Sequence, residues 1–164
     1  MPALEREADS ANGASGSAVT VRANEELPTG QISYRDVLKV QPFANTVAVV
    51  TLSGNELMDY LRAAARMTPG SSAFPQNAGI ELEIEDGVIK EAGIGGIPLE
   101  SQRRYRLSIN NFTASGGDGY PRLNKHPGYL DTGFNDAEVL RAYISRRSPL
   151  KVADFALGDA VTRR

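Results

Sequence analysis

Asn45-Thr46-Val47-Ala48-Val49-Val50-Thr51-Leu52-Ser53-Gly54-Asn55-Glu56-Leu57-Met58-Asp59-Tyr60-Leu61 changes its periodicity once, and the change sets the fold class. Residues 45–52 are aliphatic and β-branched on both faces, the pattern of a strand covered on both sides. Ser53 and Glu56 stand three residues apart, so the hydroxyl can accept from the Glu56 N–H while the carboxylate returns to the Ser53 N–H. That capping box starts a helix. Leu57, Tyr60, Leu61 and Ala64 then recur at i, i+3, i+4 and i+7 as far as Met67, giving the helix one apolar stripe.

Downstream, Ile80-Glu81-Leu82-Glu83-Ile84 alternates with period two, turns at Asp86-Gly87 and returns through Val88-Ile89. This predicts a hairpin whose wet face carries Glu81, Glu83 and Glu85. A glycine-rich turn from Gly93 to Pro98 leads to a second alternating strand, Tyr105 to Asn110. Upstream, Ser33 with Asp36 caps a short helix from Tyr34 to Lys39, ended by Gln41-Pro42. A last helix follows Asn135, with Glu138 completing the cap signature, Val139, Leu140, Tyr143 and Ile144 as its buried stripe, and Pro149 as its stop. Helices and antiparallel hairpins mix without steady βαβ alternation, so the class predicted is α+β. Residues 1–18 hold almost no large side chains and read as a tail, which leaves residues 19–164 as the single domain.

The chain has 164 residues, 41% of them hydrophobic, enough for one globular core. Its 18 basic and 20 acidic residues balance to −2, so the basic excess that neutralises nucleic-acid phosphates is missing and no nucleic-acid partner is expected. The longest clean aliphatic run, Val47 to Val50, falls far short of the ~20 residues that cross a bilayer, so no membrane partner is expected either. The start, acidic at Glu5 and Glu7, has no basic head followed by an apolar stretch, and no secretory signal is read there. There is no cysteine and one histidine, His126, so neither a thiolate zinc site nor a centre with several imidazole ligands can be built within one copy.

Few segments can carry chemistry. Gly116-Gly117-Asp118-Gly119 sets three glycines around one carboxylate, which either lets a ligand approach the backbone beside Asp118 or makes a plain strand-exit turn. Phe43, after Pro42, and Phe112, just past a strand, occupy similar exit positions; they either fill the core or face each other and sandwich a planar base. Asn45 and Asn111 can meet a base edge or satisfy a turn. Ser115 lies outside any Gly-x-Ser-x-Gly elbow, and His126, in Lys125-His126-Pro127, reads as a solvated loop residue, so a serine triad lacks support.

Three stretches together resemble the C-terminal domain of the 5′-nucleotidase family, in particular its bacterial UDP-sugar hydrolase branch: Gln31 to Asn45, Leu52-Ser53-Gly54, and Asn111 to Tyr120. Gly119 to Leu123 and Thr132 to Leu140 extend the likeness. The resemblance implies an α+β domain with two mainly antiparallel sheets between helices, in α-β-β-α layers. It also implies nucleosides or nucleotides such as AMP and UDP-sugars as ligands, and a periplasmic or cell-envelope setting. In that family a separate N-terminal domain holds two divalent metals and the catalytic residues of a phosphoric monoester hydrolase. The chain resembles the other part, so no catalytic residue, metal ligand or cofactor is expected in it. By similarity the stacking aromatics fall on Phe43 and Phe112, the base-contacting amide on Asn45 and the ribose carboxylate on Asp118, with Gly117 beside it. The family's phosphate-binding arginine follows a Gly-Gly-Ile segment, where this chain has Thr20-Val21-Arg22-Ala23-Asn24; Arg22 fits with an insertion, Asn24 without one. The resemblance leaves three expectations: a nucleoside-binding domain inactive alone, a subunit completing an active site with a separately encoded metallophosphoesterase, or a non-binding relic of a truncated gene.

Overall fold

The structure is a computed structural model that describes residues 14–19, 29–68, 71, 73, 74, 76–151 and 161–163. The opening motif folds as its periodicity dictates. Thr46–Ser53 is a strand in which Ala48, Val50 and Leu52 are fully buried on one face, while on the other Val47 is buried and Val49 and Thr51 are half-buried. Ser53 then caps the helix Gly54–Ala65, with Glu56 Oε2 accepting from the Ser53 N–H at 2.7 Å. Gly54 is required at that junction, because a Cβ would run into the Glu100 carbonyl.

Two sheets form around this unit. The first has the order β3 (Gln76–Ala78), β1 (Ala14–Val19), β7 (Arg104–Asn110), β2 (Thr46–Ser53), β8 (Tyr129–Asn135), antiparallel except where β1 runs alongside β7. The second has the order β6 (Ile97–Pro98), β5 (Val88–Ile94), β4 (Ile80–Glu85), β9 (Val161–Arg163), antiparallel except β4 with β9. Helices α1 (Tyr34–Val40) and α4 (Asp136–Arg147) pack on each other, with the Arg141 guanidinium 5.1 Å from the Tyr34 ring centroid. Helix α2 (Gly54–Ala65) touches β2 and β7 of the first sheet and β5 of the second. Its Leu57, Tyr60, Leu61 and Ala64 join Leu82, Ile84, Leu107 and Ile109 in one core, so apolar burial couples the two sheets. The fold is α+β with two mainly antiparallel sheets, as expected.

Two local expectations give way, and one strand goes unread in the sequence. Ala14–Val19 is a strand that begins inside the stretch read as a tail, residues 1–18, its main chain paired on both sides by β3 and β7. Backbone hydrogen bonds need no large side chain, so residue size is a poor guide to such a strand. The α4 stripe of Val139, Leu140, Tyr143 and Ile144 is only half-buried; the buried residues are Asp136 and Ala137, where the helix leaves β8. The strand β8 itself follows Pro127-Gly128 without clean alternation and pairs with β2 through a register shift. Among the described residues no helix is long and apolar enough to cross a membrane.

Candidate functional site

The antiparallel register pairs Val47 of β2 with Asn110 of β7, so residues 43–45 lead into one strand at the same end where 111–112 leave its neighbour. The Asn111 side chain stitches the two segments, its Oδ1 accepting from the Thr46 N–H at 3.1 Å. This bond ties two segments across the sheet rather than satisfying a turn.

Beyond β7 the chain makes one short helix, α3 (Asn111–Ala114), capped by Asn110, whose Oδ1 accepts from the Thr113 N–H at 2.7 Å. Thr113 and Ala114 turn into the core and Phe112 turns out, 48% exposed. Phe43 is 47% exposed, so both phenylalanines leave the core for the surface. The Phe112 ring rests on Gly117: a Cβ there would collide with ring carbons Cδ1, Cε1 and Cζ. Asp118 has a left-handed backbone (φ 56°), is exposed, and makes no hydrogen bond or ion pair among the described residues. Its carboxylate faces water.

Tyr120 anchors this loop from behind. Its ring stacks on Tyr60 at 5.2 Å and its hydroxyl donates to the Ala73 carbonyl at 2.9 Å. Burial, and then the charge of Asp118, push the Tyr120 phenol well above its ordinary value, so it remains a neutral donor. On the other side Ala44, between Phe43 and Asn45, is also left-handed (φ 51°), a conformation a non-glycine residue adopts at a cost of about 1 kcal/mol or more. The Asn45 carbonyl accepts from the Asp136 N–H at 2.9 Å, which holds the strained bend against the start of α4.

Phe43, Asn45, Phe112, Gly117 and Asp118 thus sit on two segments joined at one end of the first sheet. Arg22 and Asn24, the alternatives for the phosphate-side position, lie outside the described residues. Ser115 donates its hydroxyl to the Asn111 carbonyl at 2.8 Å, a local helix contact. His126 departs from the solvated-loop expectation: its Nδ1 accepts from the Gly128 N–H at 3.0 Å, which leaves the proton on Nε2 to donate to Glu56 at 3.1 Å. The loop closes on the α2 cap because Gly128 has no Cβ to strike the Thr51 carbonyl. Among the described residues no group of three or more His, Cys, Asp or Glu can hold a metal ion.

Sequence reasoning missed Asp136, 6% exposed beside Asn45. An acid in the first turn of a helix ordinarily complements the helix dipole in water, so only its flanking Asn135 cap and the apolar Ala137 hinted at burial. A separate groove of about 610 Å3 opens over the second sheet, lined by Met58, Glu81, Glu83, Lys90, Ile97 and Thr162 among others. Among the described residues no aromatic ring lines it, and Glu81 is occupied by the Gly96 N–H at 2.9 Å.

The family profile described as "5'-nucleotidase, C-terminal domain" matches residues 5–125. The match begins upstream of residue 19, within the stretch read as a tail. The chain is 49% identical to Protein UshA of Escherichia coli over 131 residues, which is 80% of this chain and 24% of that protein. It is 44% identical over 140 residues to a 5'-nucleotidase of Vibrio cholerae, covering 85% of this chain and 25% of the relative. Among solved structures, a 5'-nucleotidase precursor from Thermus thermophilus superposes with a TM-score of 0.77 at 26% identity, over 90% of this chain and 31% of the other. The chain therefore spans about a quarter of the length of the curated relatives it matches.

Proposed function

The chain belongs to the 5'-nucleotidase family, as its C-terminal domain, and from that membership we propose that it supplies the nucleoside-binding surface of a 5'-nucleotidase or UDP-sugar hydrolase. In this reading Phe43 and Phe112 sandwich the base, Asn45 meets its edge, and Asp118 accepts hydrogen bonds from the ribose hydroxyls. Gly117 supports the Phe112 ring, and Arg22 reaches the phosphates. The observation that carries the reading is the exposure of the two phenylalanines. Each leaves about half its surface in water, where burial of the whole ring would contribute about 1.5–3 kcal/mol, and each is borne by a fixed segment. A flat apolar ligand stacked on them recovers the share of that contribution that the exposed half of each ring leaves. The exposed carboxylate of Asp118, without a partner among the described residues, lies on the loop that supports Phe112 and adds an acceptor beside the stack.

Hydrolysis requires ligands for two divalent metals, and the one histidine and the described carboxylates supply no such set. The bond is then broken on metals held by a partner domain or subunit. Calorimetric titration with adenosine, uridine, AMP and a UDP-sugar tests the reading, beside a phosphate-release assay in divalent metal. Weak binding of all four without turnover is the expected result. Absence of any binding leaves the chain a non-binding relic and overturns the proposal.

A further inference from the structure

Behind Asn45 lies a carboxylate that the binding reading does not use. Asp136 opens α4, is 6% exposed, and donates its main-chain N–H to the Asn45 carbonyl at 2.9 Å. Its Oδ1 accepts from the Ala137 N–H at 2.8 Å. Its Oδ2 is buried and has no hydrogen-bond partner among the described residues. A buried carboxylate oxygen in that state is costly and draws in any donor within reach. Burial raises the Asp136 pKa, and the Ala137 N–H and then the Asn45 side-chain amide oppose it by favouring the charged form. The amide therefore bears on the carboxylate, although among the described residues no donor completes a bond to Oδ2.

We propose that Asp136 is a positioning residue for base recognition: its Oδ2 takes one N–H of the Asn45 side-chain amide and so fixes which edge of that amide meets the base. The inference rests on the nucleoside-binding reading and deepens it. An asparagine amide carries a carbonyl that accepts and an NH2 that donates twice, and unconstrained it can present either end. A carboxylate has nothing to donate, so only the nitrogen end can face Asp136. The carbonyl and the second N–H are left for the ligand, in a set order. The base must then offer a donor beside an acceptor, as adenine does with its amino group and N1, or uracil with N3–H and a ring carbonyl. Purine riboside keeps the ring nitrogens and the stacking surface but lacks the amino donor that the Asn45 carbonyl requires.

The experiment compares adenosine with purine riboside by calorimetry on the full chain. The wild type is expected to prefer adenosine by about tenfold, the value of one good hydrogen bond. Asp136→Asn has the same shape and can face Asn45 with either end, so the ratio should fall toward one while stacking persists. Asn45→Ala should collapse the ratio as well, and the double variant should lower it no further. A merely structural Asp136 would weaken both ligands by the same factor and leave the ratio intact. Melting curves identify a variant that has not folded, and Asp136→Ala then provides the second removal of the carboxylate. Binding with a ratio that both Asp136 variants leave unchanged overturns the positioning role alone. Failure of the wild type to bind either nucleoside overturns the binding reading, and the positioning role with it.

Discussion

Phe112 illustrates how much one side chain's exposure decides. Its sequence position, one residue past a strand, suits a core ring as well as a stacking ring, and the two roles have different costs on truncation. At 48% exposure, with Thr113 and Ala114 filling the interior beside it, the ring contributes little to the core. Phe112→Ala should lower nucleoside affinity by about 1–3 kcal/mol, the usual worth of an aromatic–base stack. A buried phenylalanine would instead cost about 3–5 kcal/mol of stability on the same change. Titration and melting of the same variant separate the outcomes: an affinity loss with an unchanged melting temperature supports stacking, and a collapse in melting temperature returns the ring to the core. Gly117→Ala probes the same contact from the opposite side. Gly117 does not have a positive φ, so alanine is acceptable to the backbone, but its methyl occupies the place of the Phe112 ring. The ring must swing away, and nucleoside affinity should fall while the circular dichroism spectrum stays that of the folded chain. Asp136 was not legible at this scale. Its burial comes from α4 meeting the 43–45 bend, a contact between segments about 90 residues apart that no local pattern encodes.

The elements that were legible are those whose signals are local. Both capping boxes, Ser33 with Asp36 and Ser53 with Glu56, were readable because the partners lie three residues apart. The strands β1 and β8 were not, since β1 gains its order from neighbours on both sides and β8 pairs across a register shift. The second box also has a tertiary role. The side-chain and backbone bonds from Ser53, followed by His126, hold the Glu56 carboxyl down at about 2, against an ordinary 4.5. A carboxyl depressed in the folded state contributes stability that is present above its unfolded pKa and is lost as pH falls through the folded one. The window therefore runs from about 4.5 down to about 2. Glu56 is half exposed, so solvent screening keeps the effect small. Glu56→Gln should flatten the decline of melting temperature across that window relative to the wild type, and an identical decline in both proteins would dismiss the role. At neutral pH, Ser53→Ala should cost about 1 kcal/mol, the usual value of a lost N-cap, readable as a shift in denaturant midpoint.

At the scale of the whole molecule, one core binds both sheets to α2, and the candidate site lies at an end of the first sheet, outside that core. Such a layout presents a ligand toward whatever stands beyond the strand ends. The chain covers about a quarter of its curated relatives, and nothing in its described residues gathers three metal-binding side chains. On the proposed function, recognition and bond-breaking should be separable. Cleaving a phosphate ester on a two-metal centre needs several nitrogen and oxygen ligands fixed together, with the attacking and leaving oxygens both clamped. The purified chain should bind AMP and release no phosphate from it, with or without added divalent metal. Mixing it with a metal-loaded phosphoesterase domain of the same family should leave its binding constant unchanged and give turnover only when that domain is present. In that mixture Phe112→Ala should raise KM and leave kcat largely intact, because the stack holds the base equally in ground and transition state. Turnover by the isolated chain that survives rigorous purification and disappears on mutating one of its own residues would place catalytic groups here, and the division of labour would fall.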